Sequence, residues 1–232
     1  LKAKRIKRTD PAGPLAENAA KIVKVRLEEL RGFTPRALKP EAKAAQHNMR
    51  IAAKRLRYTL ETTGFCFDRS ADIALRRTKD LQGLLGEMHD ADVMLPRLRE
   101  HRREMRGQDV AAVRILAADA GDLDPALAGR APHIPSYRGI AVLEVDLIAR
   151  RRFLFERFTE AWQSSERRGV WSALERSADR ILEEAARRRE AAARAERARR
   201  ELDAAETTRR EAAERAELAA AELAEAERRS RG

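Results

Sequence analysis

The chain has 232 residues, of which 43% are apolar, 4% aromatic and 38% charged, with one cysteine and a formal net charge of +11. The charged share is well above the roughly 25% of an average globular chain, so part of the sequence is expected to lie outside any packed core. One cysteine excludes an internal disulfide. No stretch approaches the length of a membrane span or the apolar segment of a signal peptide. The excess charge is uneven: +5 over residues 1–33, +6 over 34–107, and zero over 181–232. A polyanion would feel the first half of the chain.

Residues 1–14 read as a basic arm or linker, with Lys2, Lys4, Arg5, Lys7 and Arg8 before a turn-rich Asp-Pro-Ala-Gly-Pro. Residues 15–33 suit a helix, because Leu15, Ala19, Ile22, Val23, Leu30 and Phe33 share one face. Arg26 falls inside that apolar face. A second helix is expected over about 41–63 and a third over about 71–105, kinked or split by Pro96. Residues 107–135 read as a loop that holds a short apolar helix near 110–118 and the prolines Pro125, Pro132 and Pro135. Another helix should start near Tyr137 and pass Trp162, with a shorter one holding Trp171 and Leu174. No alternating run marks a strand. From about Ala178 the composition narrows to Ala, Glu and Arg, with Glu-to-Arg pairs at i,i+4 such as 183/187, 190/194, 206/210 and 225/229. Leu182, Leu202, Leu218 and Leu223 keep no heptad, so the tail reads as a solvated helix, with weak self-association through it as the alternative.

The second helix carries the chemistry. His47, Arg50, Lys54, Arg57 and Tyr58 fall on one stripe, while Met49, Ala53, Leu56 and Leu60 cluster opposite as a packing face. The stripe spans about 15 Å of helix axis. Like charges at this spacing repel one another, and phosphate oxygens would offset that repulsion. A solvated basic face with local carboxylate partners is the plainer reading. Arg26 and Arg151 both project into apolar faces, and a buried guanidinium needs either an internal acid or an anionic ligand. Arg150 and Arg152 flank Arg151. Cys66, between Phe65 and Phe67, reads as a buried, inert thiol. His101 and His133 read as solvated. The spacing of His47, His89, Asp90 and Asp92 does not aim three ligands at one point, so no metal site is expected. No phosphate loop, activated nucleophile or hydrolytic carboxylate pair is present.

The run HNMRIAAKRLRYTLE at residues 47–61 resembles the signature of the CHAD domain, the conserved-histidine α-helical domain. So does LQGLLGEMHDADV at 81–93. Residues 150–155 with Phe158 and Trp162 resemble the family's weaker second repeat, so the likeness covers about 15–180. It implies an all-α fold of two related helical bundles, the second shortened here, around a basic cavity or groove. It also implies inorganic polyphosphate as ligand, no catalysis, no cofactor, and frequent fusion to a triphosphate-processing domain. The implied phosphate contacts are His47, Arg50, Lys54, Arg55 and Arg57, with Arg150, Arg151 and Arg152 opposite. Tyr58, Arg26, Arg76 and Lys79 complete the candidate set. Gly83 and Gly86 would allow a close approach, and Asp90 would orient an arginine of the stripe or balance charge on its own helix. The expected organisation is an arm (1–14), a CHAD-like domain (15–180) and a helical tail (181–232), in the cytoplasm and associated with polyphosphate granules. Nucleic-acid binding and a scaffolding or accessory role are the alternatives.

Overall fold

The computed structural model describes residues 2–7, 9–118, 121–122 and 124–230, with side chains omitted at 223–225, 227 and 230. Arg8, and the side chains of Leu223 and Glu225, therefore lie outside the described residues. Every regular element among those described is helical: α1 (Leu15–Gly32), α2 (Thr34–Ala37), α3 (Lys43–Thr63), α4 (Arg69–Leu116), α5 (Ile134–Arg167) and α6 (Val170–Ser230). The chain divides into two compact units, Leu1–Ile181 and Leu182–Gly232.

In the first unit α3 packs against both α1 and α4, and α5 lies along α4. The faces read from the sequence are the faces that pack. Met49, Ala52, Ala53, Leu56 and Leu60 of α3 are buried against Val23, Leu27 and Leu30 of α1 and Leu81, Leu85 and Met88 of α4. Leu154, Phe158 and Trp162 of α5 join the same core. Leu15, at the start of α1, is exposed instead. Trp162 stacks on Trp171 of α6 with ring centroids 5.5 Å apart. The chain reverses between α5 and α6 at Gly169, where φ is +63° and a Cβ would sit 3.3 Å from the Ser172 hydroxyl. Only glycine takes that conformation without strain.

Three boundaries differ from the sequence expectation. Pro96 does not split its helix: α4 runs unbroken for 48 residues. The proline is exposed, and Leu85, Met88, Ala91 and Leu95 before it and Met105 after it stay buried on the packed side. Tertiary burial thus outweighs the missing N–H. The apolar stretch at 110–118 is the end of α4 rather than a separate helix. The helix holding Trp171 and Leu174 is the first part of α6, with no break before the Ala/Glu/Arg-rich segment. Asp68 caps α4 by accepting from the Ser70 backbone N–H at 2.8 Å, and that hydrogen bonding holds its carboxyl below the usual range.

The arm is tied down at Lys4. Its backbone N–H donates to Glu29 and its ammonium lies 2.8 Å from Glu28. Cys66 is half-buried rather than fully enclosed, and burial pushes its thiol up. His133 is not solvated: its Nδ1 lies 2.8 Å from the buried Asp109, which also accepts from the Tyr137 hydroxyl at 2.8 Å. In the second unit, ion pairs at i,i+4 recur, including Glu190–Arg194 at 2.6 Å and Glu196–Arg200 at 3.0 Å. Arg210 turns to Glu214 and not to Glu206.

Pro96 leaves the Asp92 carbonyl without its helical donor. Pro96→Ala should therefore stabilise the chain by about 1–3 kcal/mol. A thermal or urea melt followed by circular dichroism checks this.

Candidate anion-binding site

α3 forms because its apolar residues recur at helical spacing. The same spacing forces its charged residues onto one opposite row. α4 runs antiparallel beside that row. His47 Nδ1 lies 3.2 Å from His89 Nδ1, with ring centroids 4.3 Å apart and the planes tilted by 41°. One turn along α3, Arg50 crosses Gly86, where an added Cβ would lie 3.5 Å from Arg50 Nε. Further along, Lys79 of α4 pairs with Glu61 at 3.1 Å.

The row is short of acceptors. Nε of Arg50 and Nε of Arg57 are buried and have no hydrogen-bond partner among the described residues. Neither arginine, nor Lys54, forms an ion pair with a described carboxylate. The Arg57 guanidinium lies 4.6 Å from the Tyr58 ring centroid, and Lys54 Nζ lies 5.6 Å from it on the same half-exposed ring. These cation–π contacts order the two cations without neutralising them. Burial first, then the neighbouring His89 and Arg50, hold the His47 imidazole below its ordinary pKa.

The remaining candidates are placed differently. Arg26 meets an internal acid: its Nη1 lies 2.6 Å from Glu29 and 3.3 Å from the Lys4 carbonyl. Arg55 also turns to Glu29, at 3.6 Å. Arg151 grips Asp92 at 3.0 and 3.3 Å and donates to Gln46 Oε1 at 2.6 Å and the Pro40 carbonyl at 3.0 Å. Both arginines buried in apolar faces thus have protein partners. Arg150 pairs with Glu87 at 2.6 Å, and exposed Arg152 lies 3.5 Å from Glu156. Arg76 is exposed and forms no ion pair with a described residue. Asp90 likewise orients no arginine among the described residues.

A cavity of about 690 Å³ lies between α4 and α5. Its lining opposes Arg77, Lys79 and Arg157 with Asp80, Glu87 and Glu160, so its charge is balanced. Among the described residues no three His, Cys, Asp or Glu side chains gather to hold a metal ion, and no helix is long and apolar enough to cross a membrane.

Sequence reasoning missed two residues on α4. His89 was weighed only as a metal ligand, yet it is the partner of His47. Gln82, one turn before Gly86, has a buried Oε1 without a donor among the described residues. The i,i+4,i+7 spacing of Gln82, Gly86 and His89 was the available signal, since it puts all three on one side of α4.

Residues 1–99 match the CHAD domain family. The CHAD match takes in α1, α2, α3 and the first part of α4, and hence both motifs, at 47–61 and 81–93. Arg150, Arg151 and Arg152 lie beyond it. No curated protein and no solved structure matches the chain.

The fold favours neutral His47, so its contribution to stability is present above the ordinary histidine pKa near 6.5 and is lost as pH falls through the lower, folded-state value. Proton NMR titration should show the His47 ring titrating below the ordinary histidine range. In His89→Ala the value should move upward, because one of the two positive neighbours is removed.

Proposed function

We propose that the α3 row of this CHAD-containing chain binds inorganic polyphosphate without catalysis. The observation that carries the reading is that Arg50, Lys54 and Arg57 stand in one row with no carboxylate partner among the described residues, and two of them present buried Nε–H groups without acceptors there. A buried donor left unsatisfied costs about 1–3 kcal/mol, which an arriving phosphate oxygen recovers. Arginine forks match phosphate oxygens in pairs, and Lys54 adds a point charge. His47 is neutral near pH 7 in this cationic setting. A bound phosphate reverses the local field and favours its protonation.

In this reading the ligand follows the α3–α4 face past Gly86, which offers no side chain to obstruct it, and the binding surface is an open groove. α5 supplies the shortened second repeat. Arg26, Arg55 and Arg151 act behind the row by fixing α1, α3 and α5 through Glu29, Asp92 and Gln46. Arg76, Lys79, Arg150 and Arg152 contribute longer-range attraction at the edge, where Glu61, Glu87 and Glu156 temper three of them.

Nucleic acid offers the same phosphates, but readers of single strands add stacking platforms and base-edge amides. Tyr58 is the one aromatic of the row, and Arg57 and Lys54 already lie against it. The Gln46 amide is spent on the Lys39 carbonyl at 2.7 Å and on Arg151. Both facts favour a ligand without bases.

Arg50→Ala with Lys54→Ala should weaken binding of long-chain polyphosphate by tenfold or more, given roughly 1.5–3 kcal/mol per charged hydrogen bond, while helicity is kept. The parent's affinity should fall steeply with added salt, and the double variant's less steeply. Calorimetry over a salt series reads both. Parent-like binding by the double variant would remove the row from the site.

A further inference from the structure

α5 buries one side only. Ile140, Leu147, Arg151, Leu154 and Phe158 form its half-buried or buried stripe, and α5 packs along α4. On the opposite side Val142 is 64% exposed, Val145 67% and Phe153 55%, with Ile148 beside them. A two-helix layer with an apolar outer face lacks the second layer that domains ordinarily supply, and contiguous exposed apolar side chains mark an interaction surface.

The pattern on that face names the occupant. Arg138, Val142, Val145, Ala149, Arg152 and Glu156 follow one another at spacings of four and three residues, which is a coiled-coil seam. The seam is symmetric about Leu147. Laid antiparallel on a second α5, Arg138 meets Glu156 of the other copy and Val145 meets Ala149. Val142 meets the aliphatic stem of Arg152, with the Phe153 ring beside it. The same face laid parallel would set Arg138 on Arg138 and Glu156 on Glu156, which like-charge repulsion disfavours. We infer that the chain forms a two-fold dimer through the outer face of α5, antiparallel and centred at the level of Leu147. Such a contact is self-complementary, so one surface serves both copies. It turns the α4–α5 hairpin into half of a four-helix layer, and it uses no residue of the α3 row, although it takes in Arg152 and its ion-pair partner Glu156 at the edge.

Sedimentation velocity on the full chain over about 1–100 µM tests this directly. A concentration-dependent monomer–dimer equilibrium is expected. Val145→Glu should weaken it tenfold or more with helicity unchanged, because Val145 is exposed in the single chain. Arg138→Glu should also weaken it, and adding Glu156→Arg to that variant should restore it, since the ion pair is re-formed with its signs exchanged. A monomer at the highest concentration would overturn the inference and assign the face to a different protein. A dimer untouched by Val145→Glu would overturn it in favour of contacts elsewhere, including residues 182–232. Failure of the double charge exchange to restore pairing would overturn the antiparallel register.

Discussion

The structure depends on a helix that is held in place by one side while the other side repels itself. Burying Leu56, Leu60 and Met49 of α3 contributes about 1.5–3 kcal/mol for each side chain. The like-charged neighbours Arg50, Lys54 and Arg57 cost only a few tenths of a kcal/mol per pair when exposed. Packing wins by roughly an order of magnitude, so α3 tolerates a row of cations that finds no carboxylate among the described residues. The fold does not consume those charges to stand up.

Acidic residues are plentiful nearby, and their placement is selective. Glu29 serves Arg26 and Arg55, Asp92 serves Arg151 and Lys43, Glu61 serves Lys79, and Glu87 serves Arg150. These pairs fix α1, α3, α4 and α5 to one another around the row. Glu29 and Asp92 are enclosed, where losing one partner would leave a buried charge uncompensated. The arginines that the apolar faces made conspicuous are thus framework residues. The arginines that meet no described carboxylate in the α3 row lie on the ordinary-looking polar face.

That division explains what was legible in the sequence. The faces of α1, α3 and α5 followed from 3.6-residue periodicity, because each helix is buried on one stripe. The stripe from His47 to Tyr58 followed from the same arithmetic. Partners across helices were not legible. Nothing in the local sequence says that Arg151 meets Asp92, 59 residues away, or that His47 meets His89. The end of α4 was placed too early because residues 107–118 read locally as part of a Gly- and Asp-containing loop, whereas Met105 and Asp109 are buried and the helix continues to Leu116. His133 was misread for a related reason: its partner Asp109 lies on a different element.

The CHAD likeness covers residues 1–99, which hold α1, α2, α3 and the first part of α4. The proposed recognition of a phosphate chain rests on a short stretch of helix. Its chemistry is the geometry of two guanidinium groups, an ammonium and an imidazole on one row. The most direct test of that claim is the arginine Nε–H NMR spectrum of the full chain, recorded with and without long-chain polyphosphate. The account predicts that the Arg50 and Arg57 signals shift and become protected from exchange, while those of Arg26 and Arg151, already bound to Glu29 and Asp92, stay in place. Unmoved Arg50 and Arg57 signals at saturating polyphosphate would contradict it.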